Sequence, residues 1–185
     1  MHYLNNILFA FLIAISIPVF AQENIGLTSP DGRIVFIFKL TDSLPVYSVA
    51  FKDKTIIEPS TLSLSFDENG DFGSGLKINK AIFRNGEDNY SLIVGKTKNV
   101  HDQYREVTIP LQELGGSKRL INLIVRAFND GLAFRYEIPQ QKNWTSYVLT
   151  SENATFHLAG DPQVLAGYLP NYTTISRSPP RTDAT

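Results

Sequence analysis

Residues 118–139 read KRLINLIVRAFNDGLAFRYEIP, and this stretch indicates the fold. In its second half apolar side chains alternate with small or charged ones, which is the period-two pattern of a β-strand with one buried face. Its first half is largely apolar on both sides, as in a strand that is covered on two faces. Asn129, Asp130 and Gly131 lie between the halves and tolerate the positive φ of a tight turn. The stretch therefore predicts a β-hairpin.

Short runs with the same alternation recur along the rest of the chain. Strands are expected over 33–40, 46–52, 55–57, 61–66, 76–84, 90–95, 107–111, 144–149 and 154–158. Pro59 cannot donate to a central ladder and is expected to mark a strand end, whereas 85–88 (NGED) is expected to be a turn. No window shows a capped amphipathic helix. About ten short strands with regular turns predict an all-β sandwich or barrel.

Length and composition exclude several classes of function. The chain has 185 residues, which fits one domain with a proper core. A formal net charge of -1 and a pI near 6.3 give no electrostatic basis for binding nucleic acid or an anionic membrane surface. There is no cysteine, so disulfides and thiolate chemistry are excluded. Twelve Phe and eight Tyr favour sheets over helices.

Residues 1–21 are predicted to be a signal peptide rather than part of the fold. Residues 7–20 form an almost unbroken apolar run that is short for a membrane span, and small residues follow where a signal peptidase cleaves. No Lys or Arg precedes the run, which leaves an uncleaved anchor as the alternative. We therefore expect a secreted or periplasmic bacterial protein whose mature chain starts at Gln22, without a membrane association after cleavage.

Two histidines are the candidates for acid–base chemistry in the mature part. His101 is followed by Asp102 in a predicted loop, where a carboxylate could orient the imidazole. His157 lies between Phe156 and Leu158 in a strand pattern, where a lone histidine usually has a structural role. Neither has a serine elbow or a second histidine at catalytic or metal-binding spacing. The residues alone therefore nominate no catalytic residue.

Aromatic residues are the candidates for sugar contacts, because their rings offer an apolar platform with a polar rim. The four candidates are Trp144, Tyr147, Tyr168 and Tyr172. Packing inside the sandwich is the more ordinary role for such residues. The segment 67–71 (DENGD) looks like a calcium loop, but its Gly is at position four and Ile78 stands at position twelve. A polar hairpin turn is expected there instead.

The hairpin from Phe128 to Pro139 resembles a phrase near the end of the N-terminal domain in glycoside hydrolase family 97. The enzymes of this family are secreted bacterial α-glucosidases and α-galactosidases. Three further blocks resemble that domain in the same order, namely 27–32, 47–54 with 57–62, and 172–176. The resemblance therefore runs over nearly the whole mature chain, from about residue 27 to residue 176.

The resemblance implies an antiparallel β-super-sandwich of the galactose mutarotase type over residues 22–176, followed by a truncated tail or linker at 177–185. In the family this domain packs on a catalytic (β/α)₈ barrel and shapes its active site, and calcium lies between the two domains. A barrel of that kind needs about 250 residues, which this chain does not have. The family's calcium-binding Glu follows the segment matched by 172–176, where this sequence has SPPR at 178–181. No catalytic residue, cofactor or metal ligand is therefore carried over.

Functions of different classes remain open at this point. The first is a non-catalytic, carbohydrate-associated domain whose partner is a catalytic barrel. The second is a stand-alone sugar-binding or mutarotase-like enzyme that uses His101 or His157, which requires a carboxylate within reach of the imidazole. A third is an interaction module for another cell-envelope protein, which requires a large exposed apolar patch.

Overall fold

A computed structural model describes residues 24–41, 44–94 and 97–164 of the chain. The strands over these residues are β1 (Ile25–Thr28), β2 (Ile34–Leu40), β3 (Pro45–Phe51), β4 (Lys54–Thr61), β5 (Leu64–Phe66), β6 (Gly70–Phe72), β7 (Leu76–Ile78), β8 (Ile82–Ser91), β9 (Asn99–Glu113), β10 (Leu120–Phe128), β11 (Leu132–Glu137) and β12 (Leu149–Glu152). The predicted signal peptide and the tail at 177–185 lie outside the described residues.

The strands form three antiparallel sheets. One has the order β1-β2-β3-β4, a second has the order β11-β10-β9-β7 with β8 also paired to β9, and a third has the order β12-β5-β6. The described ranges contain no helix and therefore no helix that could cross a membrane. This architecture confirms the predicted all-β, antiparallel sandwich.

The core lies between the four-stranded and the five-stranded sheets. Phe36, Phe38 and Tyr47 project from the first sheet and are fully buried. Val107 and Ile109 of β9 meet them from the second sheet and are equally inaccessible. The β-branched and aromatic side chains that favour strands thus also fill the space between the sheets.

The predicted hairpin is confirmed as β10 and β11. Its register runs from Asn122 opposite Glu137 to Ala127 opposite Leu132. The turn is closed by a hydrogen bond from the Phe128 amide to the Gly131 carbonyl at 2.8 Å. Because β10 also pairs with β9 along its whole length, it is an interior strand of its sheet. Its face toward the core is fully buried, whereas on its other face only Ile124 is buried, so the expected covering of both faces was only partly correct.

A buried ion pair links the five-stranded sheet to the three-stranded sheet. Arg119 immediately precedes β10 and is 3% exposed. Its Nε and Nη2 donate to the two oxygens of Glu113 at 2.9 and 2.6 Å, and Nη2 also donates to the Asp71 carbonyl at 2.9 Å. Its guanidinium lies within 5.7 Å of the ring centroids of Phe66, Phe72 and Trp144. The pair therefore closes this end of the sandwich.

The polar hairpin turn predicted at 67–71 is confirmed between β5 and β6. Residues 67–69 form the turn, and β5 and β6 pair on either side of it, with Phe66 opposite Gly70. The apolar residues Leu62, Leu64 and Phe66 that precede it are all buried. The polar cluster at 67–71 is thus a hairpin connection.

One predicted strand end and one predicted strand near β4 were wrong. The strand does not end at Pro59 but continues to Thr61. The pairing of β3 with β4 shifts register between Tyr47 and Val49, so Pro59 falls in an irregular part of the ladder where its missing N–H is tolerated. The segment 154–158 was predicted to be a strand but makes only an isolated bridge from Leu158 to Ile57.

The C-terminal part of the described chain also departs from the prediction. The strand expected at 144–149 is β12, which begins only at Leu149. Trp144 instead bridges Gln141 in a tight turn. The segment after β12 runs beside β4, with backbone hydrogen bonds such as Glu58 to His157 at 2.8 Å. This segment therefore covers the free edge of the four-stranded sheet.

The largest error concerns residues 85–88, which were predicted to be a turn. They lie inside β8, a single strand of ten residues. The sequence Asn85-Gly86 signals a turn locally, but a β-carbon on Gly86 would lie 2.3 Å from Cζ of Tyr104. The glycine therefore makes room for an aromatic ring of the neighbouring strand.

Candidate functional site

The most distinctive surface is an arm of two strands that extends beyond the five-stranded sheet. Strand β9 has fifteen residues, but β10 pairs only with its residues 104–112. Residues 99–103 pair with 87–91 of β8 and with no other strand of the described chain. We call residues 85–91 of β8 and 99–105 of β9 the β8–β9 arm, with 85–86 and 104–105 at its base. A two-stranded ribbon has no covering layer, so both of its faces are available for contacts.

The register of the arm sorts its side chains onto two faces. Cross-strand partners point to the same side of an antiparallel pair, and successive residues alternate between sides. One side carries eight polar side chains, which we call the polar face. They are the pairs Asn85 and Arg105, Glu87 and Gln103, Asn89 and His101, and Ser91 and Asn99. The polar face continues the core side of the sheet, because Phe83 opposite Val107 is the next pair with that orientation.

A hollow of about 390 Å³ lies where the polar face meets the turn between β1 and β2. Its lining residues are Pro30, Asn85, Gly86, Glu87, Gln103, Tyr104 and Arg105. A second hollow of about 280 Å³ lies further along the arm, where Asn89, Ser91, Asn99 and His101 are among its lining residues. Both volumes are close to the range of small-molecule sites in proteins.

The wall of the first hollow is fixed by Arg105. Its Nη1 donates to Thr28 Oγ1 at 2.6 Å, and its Nη2 donates to the Pro30 carbonyl at 3.5 Å. These bonds connect the base of the arm to the opposite sheet. The distance between the arm and the turn is therefore set by a side chain of the polar face itself.

The turn that carries Pro30 is held by Asp31. The Asp31 carboxylate accepts from Ser29 Oγ at 2.6 Å, from the Arg33 amide at 3.0 Å and from Arg33 Nε at 2.5 Å. The Ser29 hydrogen bond is the largest of the influences that lower the pKa of Asp31 to about 2, and the Arg33 bonds act in the same direction. The Asp31 amide donates to Asn129 Oδ1 at 3.0 Å, which ties this turn to the hairpin turn of the facing sheet.

His101 lies on the polar face, with partners that differ from the predicted one. It belongs to strand β9 and not to a loop. Its Nδ1 is 2.6 Å from Asn89 Oδ1 and 3.5 Å from Glu87 Oε1. Asp102 points to the opposite face, where it accepts from the Tyr90 hydroxyl at 2.9 Å. The orientation of the imidazole by Asp102 that the sequence left open is therefore not found, and Glu87 is the carboxylate within reach of it.

The opposite face of the sheet carries a second charged group, which we call the guanidinium cluster (Arg84, Glu106 and Arg126). Glu106 is 4% exposed, and its oxygens accept from Arg84 Nε at 2.5 Å and from Arg126 Nε at 2.6 Å. The guanidinium of Arg126 stacks 4.1 Å from the ring centroid of Tyr104. Because both guanidiniums are engaged by one carboxylate, the cluster stabilises the sheet rather than offering a site for a free anion.

Glu106 is expected to make stability depend on pH. The Arg84 hydrogen bond is the main cause that holds the pKa of Glu106 below its ordinary value of 4.5, with Arg126 acting in the same direction and burial in the opposite one. A lowered folded-state pKa gives a stabilisation that is complete above about pH 4.5 and is lost as the pH falls through the folded-state pKa. Glu106→Gln is therefore expected to be less stable than the wild type at neutral pH, with a difference that shrinks in acid.

Urea unfolding measured between about pH 7 and about pH 3 by the fluorescence of Trp144, the one tryptophan of the chain, tests this expectation. Glu68→Gln is the matched control, because Glu68 is exposed in the β5–β6 turn. A difference in the free energy of unfolding between Glu106→Gln and wild type that stays constant over this range would contradict the assigned role.

The other sequence candidates do not join the polar face. His157 lies beside β4, where its amide donates to Ser60 Oγ at 2.9 Å and its Nδ1 is 3.0 Å from the Pro59 carbonyl oxygen. Trp144 is 6% exposed and packs edge-on against Phe66 at 4.9 Å, so its packing role is confirmed. The Tyr147 ring packs against the tryptophan with 4.9 Å between the ring centroids and a tilt of 35°, and the residue is half exposed. Tyr168 and Tyr172 lie outside the described residues.

Metal binding finds no support within the part of the chain that the structure describes. In residues 24–41, 44–94 and 97–164, no three His, Asp or Glu side chains converge in a way that could hold an ion. The segment 178–181, where the resemblance implies a calcium-binding residue, lies outside these ranges. No chemistry of the described residues is therefore assigned to a metal.

Fold and surface together define a class, namely an antiparallel β-sandwich domain with a polar arm. The chain belongs to the glycosyl-hydrolase family 97 N-terminal family, whose profile matches residues 27–178. It is 24% identical over 116 residues to a retaining alpha-galactosidase of Bacteroides thetaiotaomicron, which is 63% of this chain and 16% of that protein. It is 25% identical over 138 residues to a probable retaining alpha-galactosidase of Streptomyces bingchenggensis, which is 71% of this chain and 21% of that protein.

Solved structures give the same result. A glycoside hydrolase family 97 enzyme from Pseudoalteromonas sp. strain K8, in complex with acarbose, superimposes with a TM-score of 0.68 and 30% identity over 73% of this chain and 20% of that one. A beta-arabinopyranosidase superimposes with a TM-score of 0.67 and 26% identity over 75% of this chain and 21% of that one. The chain thus spans about a fifth of the length of these relatives. The predicted family is therefore confirmed.

Sequence reasoning missed the polar face. Its strands lack the contrast between apolar and polar residues on which the period-two signal depends. One local signal was available, since Gly95-Lys96-Thr97-Lys98 is a turn-like stretch between two polar runs of similar length. The polar runs before and after this stretch indicate a hairpin, but a turn predicted at 85–88 interrupts the first of them.

Proposed function

We propose that this chain is the non-catalytic N-terminal domain of a family 97 type glycoside hydrolase. In this proposal it packs on a catalytic barrel with α-glucosidase or α-galactosidase activity, outside the cytoplasm, and shapes the active site of that barrel. The observation that carries the proposal is the match to the N-terminal family over residues 27–178, in a chain that spans about a fifth of the enzymes it resembles.

Exposed apolar side chains support a partner surface. At the tip of the arm, Ile93 is 101% exposed and Val94 is 83% exposed. Near the C-terminal end of the described chain, Val148, Phe156 and Val164 are each more than half exposed. We infer that these side chains belong to a surface which a neighbouring protein covers. We assign the catalytic barrel as that neighbour, because the relatives carry about four times more chain than is matched here.

A saccharide substrate for the assembled enzyme is supported by the relatives. The Pseudoalteromonas enzyme is described in complex with acarbose and, as an E480Q variant, with panose. The two curated relatives are described as alpha-galactosidases. We extend these substrate classes to the assembled form of this protein only.

A chimeric enzyme tests the proposal. Residues 27–178 would replace the matching segment of the Pseudoalteromonas enzyme, and hydrolysis of an aryl α-glucoside would be measured. We expect the chimera to hydrolyse the substrate, whereas the enzyme without its N-terminal segment and the isolated chain do not. A folded, monodisperse chimera without activity would contradict the proposal, and so would turnover by the isolated chain.

A second candidate function rests on His101. Its imidazole has Glu87 at 3.5 Å on an exposed sheet face, which is the arrangement that a stand-alone mutarotase-like enzyme requires. Polarimetry of freshly dissolved α-galactose with the isolated chain tests this function. Faster anomerisation that His101→Ala abolishes would favour the second candidate over the first, and an unchanged rate would exclude it.

A further inference from the structure

We propose that the polar face of the β8–β9 arm binds a neutral oligosaccharide, with one sugar ring seated in the hollow between the arm and the β1–β2 turn. The inference rests on the proposed association with carbohydrate and names a site for it. The juxtaposition that supports it is a fixed hollow whose lining includes two side-chain amides, those of Asn85 and Gln103, that have no hydrogen-bond partner in the described chain.

Free hydrogen-bonding capacity is concentrated at the hollow. The side-chain amides of Asn85 and Gln103 make no hydrogen bond with any other described residue, although both line the hollow. Each amide offers two donor hydrogens and an acceptor oxygen. Further along the arm, the amide oxygen of Asn89 is already engaged by His101. The base of the arm is thus the part that a ligand can use with the least rearrangement.

The charges of the hollow select for a neutral ligand. Glu87 and Arg105 both line it, and their opposite charges stand on neighbouring cross-strand pairs. An anion such as phosphate would meet the Glu87 carboxylate, and a cation would meet the Arg105 guanidinium. A hydroxyl group both donates and accepts, so it can satisfy an amide, a carboxylate and a guanidinium in turn. A saccharide carries several adjacent hydroxyls on one rigid ring and therefore suits this lining.

The size of the face suits more than one sugar ring. The first hollow has a volume of about 390 Å³, and the second hollow, of about 280 Å³, lies along the same face. From Asn85 to Ser91 the strand advances by six residues, which corresponds to about 20 Å. No aromatic ring other than Tyr104 lines the first hollow, and that ring is buried on the opposite side of the strand. Without a stacking platform the complex is expected to be weak, with a Kd of about 1 mM.

The site is largely formed before a ligand arrives. Arg105 is held by Thr28 and Pro30, and Asp31 fixes the turn that forms the far wall. A ligand therefore needs to order only the exposed side chains of Asn85, Glu87 and Gln103.

The test is a titration of the full chain with panose, followed by amide chemical shifts in ¹H–¹⁵N NMR spectra. We expect saturable shifts confined to β8, β9 and the β1–β2 turn, and no shifts with inorganic phosphate at the same concentration. The double substitution Asn85→Ala and Gln103→Ala is expected to raise the Kd at least tenfold. Asn69→Ala and Gln140→Ala are matched controls, because both are exposed amides away from the arm, and we expect them to leave the Kd unchanged.

Each other outcome overturns the site. Shifts that map elsewhere and survive the double substitution would remove the arm as the site while leaving an association with carbohydrate in place. An absence of any shift with panose in a folded chain would reject sugar binding by this surface. Neither result affects the chimera experiment, which reports on packing against a barrel. The two proposals therefore fail independently.

Discussion

Replacement of Gly86 with alanine is expected to lower the free energy of unfolding by about 2 kcal/mol, as small-to-large changes in packed sites do. The added β-carbon would lie 2.3 Å from Cζ and 2.5 Å from Oη of Tyr104. The Tyr104 ring is 3% exposed and lies between Arg126 at 4.1 Å and Phe128 at 5.4 Å. It therefore has little room to move away. Urea unfolding followed by Trp144 fluorescence measures the effect.

Two further variants separate this clash from a general effect of replacing a strand glycine. Gly26 lies in β1 and has no heavy atom within 4 Å of an added β-carbon, so Gly26→Ala is expected to change stability by less than about 0.5 kcal/mol. In a Tyr104→Ala background, Gly86→Ala is expected to cost little, because the ring that it meets is gone. An equal cost of Gly86→Ala in both backgrounds would refute the proposed contact.

Gly86 also shows why the arm could not be predicted from the sequence. An Asn-Gly pair between short apolar runs is a strong local turn signal, and this signal was followed. The residue that decides its conformation is Tyr104, which faces it across the ladder. The sequence does not show whether a glycine is required by a turn or by the close approach of a ring from another strand. Only the register of β8 against β9 distinguishes them.

The hairpin of β10 and β11 was predictable because everything that specifies it is local. Its buried residues alternate within one strand, its turn residues are adjacent, and its pairing partners follow directly in the chain. The path after β12 was not predictable in this way. The segment around His157 is held by backbone hydrogen bonds to β4, about one hundred residues earlier, and these bonds do not depend on side-chain pattern.

The contacts of His101 in the candidate site could not be predicted from the sequence either. His101 and Asp102 are neighbours in sequence, but successive residues of a strand point to opposite faces. The groups that meet the imidazole are Asn89 and Glu87, which reach it across the ladder. Histidine was selected as a candidate by its chemistry alone. Its partners required the strand register, which the sequence pattern did not contain.

Removal of the Glu113 carboxylate is expected to have the largest effect of any substitution considered. Glu113→Ala would leave the guanidinium of Arg119 buried without a counter-ion, which costs about 3–5 kcal/mol in buried pairs. The side chains of the two residues are 15% and 4% exposed, so water compensates little of this loss. The three surrounding aromatic rings contact the cation, but they do not replace a carboxylate that accepts at 2.6 and 2.9 Å. Thermal or urea unfolding of the variant measures the loss.

A double substitution distinguishes a missing counter-ion from missing packing. In Arg119→Met with Glu113→Leu no charge remains buried, and the methionine still fills the space between the rings, so the pair of changes is expected to cost less than Glu113→Ala alone. Some loss remains, because the Asp71 carbonyl no longer receives its hydrogen bond from Arg119. Arg135→Met is the surface control, since its ion pair with Glu137 is 3.5 Å long and exposed, and it is expected to change stability by less than about 1 kcal/mol. A double variant less stable than Glu113→Ala would show that the site is held by the ion pair itself and not by the need to neutralise a buried charge.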